Sequence, residues 1–267
     1  MARTLTAALA ATFLFLAASP AVPGAAVRAT PARRHTVAAL PPVMLWAWEY
    51  PQDLRFADPA RVGVASLGAT AALVGDDVRV TMRRQPLRLA PGAAHVRVLR
   101  VELPRGAKPA LSEVQAARLA RLAAGLARES GVRGVQLDFD APRSARPFYR
   151  RLLARVRAEL PDTSLLAMTA LASWAMGDAW LEGLPVDAAV PMVFRMGADA
   201  GRIRAALTAG RDFTPERARG NLGVDLDEPW PRFLPGRRLW IFVHGSWTPA
   251  RVERVNRAWA QWKRDST

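Results

Sequence analysis

The seven residues from Gly134 to Asp140, Gly-Val-Gln-Leu-Asp-Phe-Asp, alternate apolar and polar side chains with a period of two. A strand with that pattern puts Gln136, Asp138 and Asp140 on one face and Val135, Leu137 and Phe139 on the other. Two carboxylates stacked in a confined place cannot both ionise freely. One of them should keep its proton into the range where an acid catalyst works. A plainer reading of the same residues makes Asp138 an internal acceptor, satisfied by backbone or by an arginine.

Other groups that could act on a substrate fall where short apolar runs end. Glu49 follows the run Val43–Trp48, and Glu102 lies at the end of Val96–Leu103. Ser173 and Trp174 follow Ser164–Leu171, and Arg195 follows Ala188–Phe194. Asp225 closes Leu222–Leu226, with Asp227 and Glu228 beyond it, and His244 and Trp247 follow Leu239–Val243. Five tryptophans, Trp46, Trp48, Trp174, Trp230 and Trp247, lie at or near run ends, where flat faces can stack on sugar rings. Trp259 and Trp262 fall on the apolar stripe of a terminal helix and read as packing. A hard divalent cation could be held by Asp138, Asp140, Asp225, Asp227 and His244. No second histidine stands at a run end beside His244, so the sequence implies neither a resident metal nor a cofactor. Ser173, His244 and Asp225 could form a nucleophilic triad, but no nucleophile-elbow sequence surrounds Ser173.

Eight apolar runs must position these groups: the six named above, together with Val62–Leu67 and Gly134–Phe139. Several are apolar on both faces, as parallel strands covered on both sides have to be. Helical stretches separate many of them. Ser112-Glu113-Val114-Gln115 is a capping box opening a helix to about Glu129. Phe148, Leu152, Leu153, Val156 and Leu160 mark a second helix, stopped by Pro161. Ile203 and Leu207 mark a shorter one, and Thr248-Pro249 opens the last. Gly75-Asp76-Asp77 predicts a hairpin excursion after the second strand instead of a helix. The expected fold is a somewhat trimmed (β/α)8 barrel of the TIM type. A doubly wound sheet is the alternative, but Pro51-Gln52-Asp53 stands where its Gly-rich first turn would be.

The chain of 267 residues carries a formal charge of +15. Arg accounts for nearly all of it and is scattered in pairs, without the basic face interleaved with aromatics of a nucleic-acid binder. Met1-Ala2-Arg3, the apolar stretch Leu5 to Ala18 and the small residues Gly24-Ala25-Ala26 follow the plan of a signal peptide over residues 1–26. Left uncleaved, the same stretch would serve as a membrane anchor. Residues 27–42 read as a Pro/Arg-rich leader, and residues 43–267 as a single domain, expected to be a monomer. Without Cys, the fold owes nothing to disulfides.

The stretch Gly134–Asp140 resembles the fourth-strand signature of chitinase-type glycoside hydrolases, in which aligned acids end in a catalytic glutamate. Gln136 stands at the first aspartate of that series, Asp138 at the second, which orients the substrate's N-acetyl group, and Asp140 at the acid–base glutamate. Pro191-Met192-Val193-Phe194-Arg195 resembles the same family's Met-x-Tyr-Asp motif, with Phe194 for the tyrosine and Arg195 for the aspartate. A longer resemblance runs through Met44–Glu49, Leu137–Pro142, Met168–Trp174 and Gly183–Asp187. It is to an exported bacterial family known only as a domain of unknown function, and it implies a barrel and export but no activity. The chitinase-type resemblance, joined to the expected export, implies a hydrolase acting on an envelope or extracellular polysaccharide, with Asp140 as acid–base and Asp138 orienting. A barrel that binds oligosaccharide and has lost the chemistry is the alternative. The mature chain is expected to begin near Val27 outside the cytoplasm; N-terminal sequencing from the native host checks this, and a cytoplasmic chain starting at Met1 overturns it.

Overall fold

A computed structural model describes residues 36–230 and 236–265. The segments expected as signal peptide and most of the leader lie outside the described residues. The strands are β1 (Val43–Ala47), β2 (Gln52–Leu54), β3 (Val62–Val74), β4 (Asp77–Met82), β5 (Leu87–Leu89) and β6 (His95–Glu102). They continue with β7 (Val132–Asp138), β8 (Leu165–Leu171), β9 (Ala188–Met192), β10 (Asn221–Asp225) and β11 (Arg238–Phe242). The helices are α1 (Glu113–Ala127), α2 (Arg146–Glu159), α3 (Ala172–Ala175), α4 (Ala200–Thr208), α5 (Glu216–Arg219) and α6 (Pro249–Asp265).

Strands β1, β3, β6, β7, β8, β9, β10 and β11 run parallel, each bonded to the next. The circle closes because β1 pairs with both β11 and β3. This is a TIM-type α/β barrel, assembled from the eight apolar runs. Alternation within each strand sorts side chains between two cores. Val135 and Leu137 of β7 point outward to α1 and α2. Met44 and Trp46 of β1, Val96 and Val98 of β6, Leu165 and Ala167 of β8, and Trp240 of β11 fill the interior. The barrel is therefore packed through its middle and can open only at an end. Gly223 makes room for this filling: a Cβ there would lie 2.9 Å from the Trp46 ring.

Helix α1 begins where the capping box places it: Ser112 accepts from the Gln115 amide, and the Gln115 side chain accepts from Ser112. The excursion after the second barrel strand is a hairpin of β3 and β4, turning between Val74 and Asp77. The second strand itself runs to Val74, well past Leu67, because a bulge at Leu67/Ala69 lets it continue as β4's partner. Among the described residues, no α-helix lies between β1 and β3, β3 and β6, or β10 and β11. The ordered body also starts before Val43. Leu40 is buried in the interior core, and Arg238 donates to the carbonyls of Leu40 and Pro41. Residues at the end of the expected leader thus cap the N-terminal mouth of the barrel, because their apolar side chains cover an otherwise open core.

At Gly134 a Cβ would lie 2.2 Å from the carbonyl oxygen of Leu165, and φ is +157°. Gly134→Ala should therefore destabilise the fold by about 3 kcal/mol or more, since backbone has to move. Gly125→Ala in exposed α1, where a Cβ meets nothing within 4 Å, should gain roughly 0.5–1 kcal/mol. Denaturant titration of both variants checks the contrast.

Candidate functional site

Parallel strands end together, so their C-terminal ends form one rim. A cavity of about 380 Å³ opens there. Asp138, Asp140, Thr169, Ser173 and Arg195 line it, with Trp46, Trp48, Phe194 and Phe242 as its aromatic walls. A second cavity of about 460 Å³ lies alongside; it is lined by Glu102, Pro104 and Pro142 and shares Arg100, Asp138 and Asp140 with the first. The two acids stand where the cavities meet.

The walls are held from a distance. Arg83, at the end of the hairpin, donates to the carbonyls of Ala47, Trp48 and Tyr50, and so fixes the chain that carries Trp48. Glu49 accepts from the amides of Arg84 and Gln85, at 2.9 and 3.0 Å. Gln52, from the small parallel pair of β2 and β5, accepts from the Trp247 amide, and the Trp247 indole donates to the Trp46 carbonyl. The Trp46 indole in turn donates to Gln136 Oε1 at 2.7 Å, beneath the acids. Phe194 and Phe242 stack almost parallel, at 10° and 5.6 Å between centroids.

Asp138 is 8 % exposed and accepts a 2.7 Å hydrogen bond from the Thr169 hydroxyl. Arg100 Nη1 lies 3.7 Å from its other oxygen. Burial, reinforced by the charge of Asp140, pushes the Asp138 carboxyl up to about 6, against the opposing pull of Thr169 and Arg100. Asp140 is exposed at the mouth, yet the protein crowded around it also raises its carboxyl, again opposed by Arg100. The Arg100 guanidinium donates to Glu102 at 2.7 Å and lies 5.5 Å from the Trp48 ring centroid.

The cavities bring together Trp46, Trp48, Glu102, Asp138, Asp140, Ser173 and Arg195, with Gln136 just below. Glu49, Trp174, Asp225, His244 and Trp247 belong to the same end of the barrel but line neither cavity. His244 pairs with Tyr50 across 3.2 Å, and Asp225 accepts from the Asp227 amide, so these two do not join Ser173 as a triad. The five tryptophans do not converge. Trp174 is buried against Trp180 and Arg146, Trp247 is buried under Trp46, and Trp230 donates to the Asp225 carbonyl. Being near a strand end fixes a residue's height, whereas the chain's direction after the strand decides whether it turns inward. Phe242 and Thr169 are among the lining residues that sequence reasoning passed over, as is Arg100. Phe242 and Thr169 occupy inward positions of their strands, so alternation counted from Trp240 and Ala167 is the signal that would have found them. Among the described residues, no three His, Asp or Glu side chains gather as a cation site.

No family model, curated protein or solved structure matches this chain.

The raised acid has a consequence for stability. The folded state holds the Asp138 proton more tightly than the unfolded chain does. Its contribution is therefore most favourable below the usual carboxylate value of 3.8 and is lost as pH rises through about 6. Asp138→Asn keeps the Thr169 hydrogen bond and cannot ionise. It should flatten stability between those limits and gain on the order of 2–3 kcal/mol above pH 6. Denaturation midpoints measured across that range check this.

Proposed function

We propose that the chain is a glycoside-hydrolase-like protein that processes an envelope or extracellular polysaccharide at the rim of its barrel. The observation that carries this reading is the pair Asp138 and Asp140, placed where an aromatic-walled cavity meets a polar one. Glycosidic cleavage needs a carboxylic acid that still carries its proton near neutral pH, and a second carboxylate close by. Burial raises both carboxyls, which favours the first condition, and the strand supplies the second.

In this reading a sugar lies in the first cavity against Trp48 and Phe242, and the leaving part lies in the second. Asp140, exposed at the mouth, gives its proton to the glycosidic oxygen as the bond to the anomeric carbon breaks. Asp138, anchored by Thr169, orients the sugar and counters the positive charge that develops. Water then attacks the anomeric carbon and returns a proton to Asp140. The resemblance of Gly134–Asp140 to the chitinase-type signature supports the same assignment. The proximity of Arg100 to both acids favours a second reading, since it eases their ionisation: a site that holds a sugar without transferring a proton.

A glycan array probed with the mature chain, followed by product analysis on the bound glycans, separates the two. Asp140→Asn should lower turnover by about 10²–10⁴ while affinity stays nearly unchanged, because the amide keeps the shape and loses the proton. Asp140→Glu, one methylene longer, should retain turnover. Hydrolysis unaffected by Asp140→Asn, or glycans bound and never cleaved, overturns the catalytic role and leaves the binding one.

A further inference from the structure

Arg195 is one of two arginines lining the first cavity, and it is used differently from its neighbours on the rim. Arg100 donates to Glu102, Arg204 to Glu228, and Arg254 to Asp227. The Arg195 guanidinium donates no hydrogen bond to the described residues, although its side chain is 60 % exposed. It lies 5.0 Å from the centroid of Phe242, which is itself stacked on Phe194. Asp225, almost fully buried behind it, comes to 3.8 Å of Nη2. That is beyond the roughly 2.7–2.9 Å of a charge-assisted hydrogen bond, so Asp225 attracts the cation without occupying its donors.

The backbone at Arg195 is also held in an uncommon conformation. Arg195 has φ +49°, a left-handed conformation that costs a non-glycine residue on the order of 1 kcal/mol or more. Lys108 and Leu111 are the other described non-glycine residues with positive φ, and neither lines this cavity. The Arg195 amide donates to Glu228 Oε1 at 3.2 Å, while Glu228 Oε2 accepts from Arg204. Strain maintained by a dedicated partner, at a residue facing a cavity with its donors unspent, is the pattern of a ligand clamp.

We infer that Arg195 is an anion-recognition residue and that the sugar in the first cavity is acidic, carrying a carboxylate as a uronic acid does. A planar guanidinium on an aromatic face presents two parallel N–H groups to a carboxylate and gives up little hydration when it binds. Arg195 follows β9, two strands around the barrel from Asp138, so a carboxylate on its fork is held apart from the acid pair. The formal charge of +15 on the chain favours encounter with an acidic polymer.

The substrate class named here rests on the carbohydrate reading of the cavity, and its test is by binding, not turnover. The full chain carrying Asp140→Asn is titrated with a galacturonate trimer and with the galactose trimer of the same linkage, followed by calorimetry. The acidic trimer should bind about tenfold or more tightly than the neutral one. Arg195→Asn, which tolerates the left-handed backbone, should remove that preference, lowering the affinity for the acidic trimer by about tenfold more than that for the neutral one. Arg195→Lys should restore part of it. Absence of preference, a preference that survives Arg195→Asn through diffuse charge alone, or no binding of the acidic trimer each overturns the inference. A preference lost with Arg195, while the chain with Asp140 intact cleaves neither trimer, sinks the hydrolase reading and leaves the acidic subsite standing. Cleavage by the chain with Asp140 intact, with acidic and neutral trimers bound alike, does the reverse.

Discussion

Strand β1 is hydrogen-bonded on both sides, to β3 and to β11, and that double pairing turns a twisted parallel sheet into a closed wall. Closure fixes the interior volume, and large side chains then have to fill it. Trp46 and Trp240, 5.9 Å apart, occupy much of the middle, and glycine at position 223 is the concession that lets Trp46 fit. With the middle filled by these side chains, a polar inward position needs a partner, as Asn221 has in the Trp240 indole, or a place near the end where strands give way to loops. Gln136 marks the boundary. It is wholly buried, with one amide oxygen taken by the Trp46 indole, while Asp138, one inward position higher on the same strand, already meets the cavity.

The rim is then shaped by ties between segments far apart in sequence. Where an ordinary barrel would have helices after its first two strands, this chain has short strands and a hairpin, and their polar groups face the neighbouring loop. Arg83 holds the Trp48 segment through three carbonyls, and Gln52 holds the Trp247 segment through its amide. Buried backbone carbonyls need donors, and one guanidinium satisfies several at once. The trimmed elements thus do the positioning that a packed helix would do elsewhere, and they set where Trp48 stands over the cavity.

The eight strands were legible because burial on both faces forces continuous apolar runs, and α1 because its capping box is local. The hairpin was legible from Gly75-Asp76-Asp77, since a turn is decided by the few residues in it. The extension of β3 to Val74 was not, because its pairing depends on a bulge and on β4. At the site, Asp138 and Asp140 could be read from alternation along one strand. Phe242 and Thr169 follow from the same alternation once Trp240 and Ala167 are known to point inward, whereas the fates of Trp174 and Trp247 depend on the path of the chain beyond the strands. The misplaced tryptophans also show that a residue type suited to stacking is equally suited to packing. Trp174 lies against Trp180 and Arg146, where its flat face is fully used.

Arg100 explains why Asp138 keeps an elevated affinity for its proton with a cation so near. A guanidinium that closed on the carboxylate at hydrogen-bond distance would pull it strongly toward the ionised form. Two other interactions prevent this. The Arg100 Nε is committed to Glu102, and its guanidinium lies over the Trp48 ring, which leaves Nη1 at 3.7 Å from Asp138. At that separation the attraction is only partial, and desolvation of the carboxylate, with repulsion from Asp140, outweighs it. The protonation of the pair therefore depends on where Trp48 stands. Through the Arg83 clamp on the Trp48 carbonyl, it depends in turn on a hairpin that contributes no lining residue to either cavity. An excursion after the second barrel strand, which looks in the sequence like an ornament on the fold, is in this way part of what tunes the acids on the fourth.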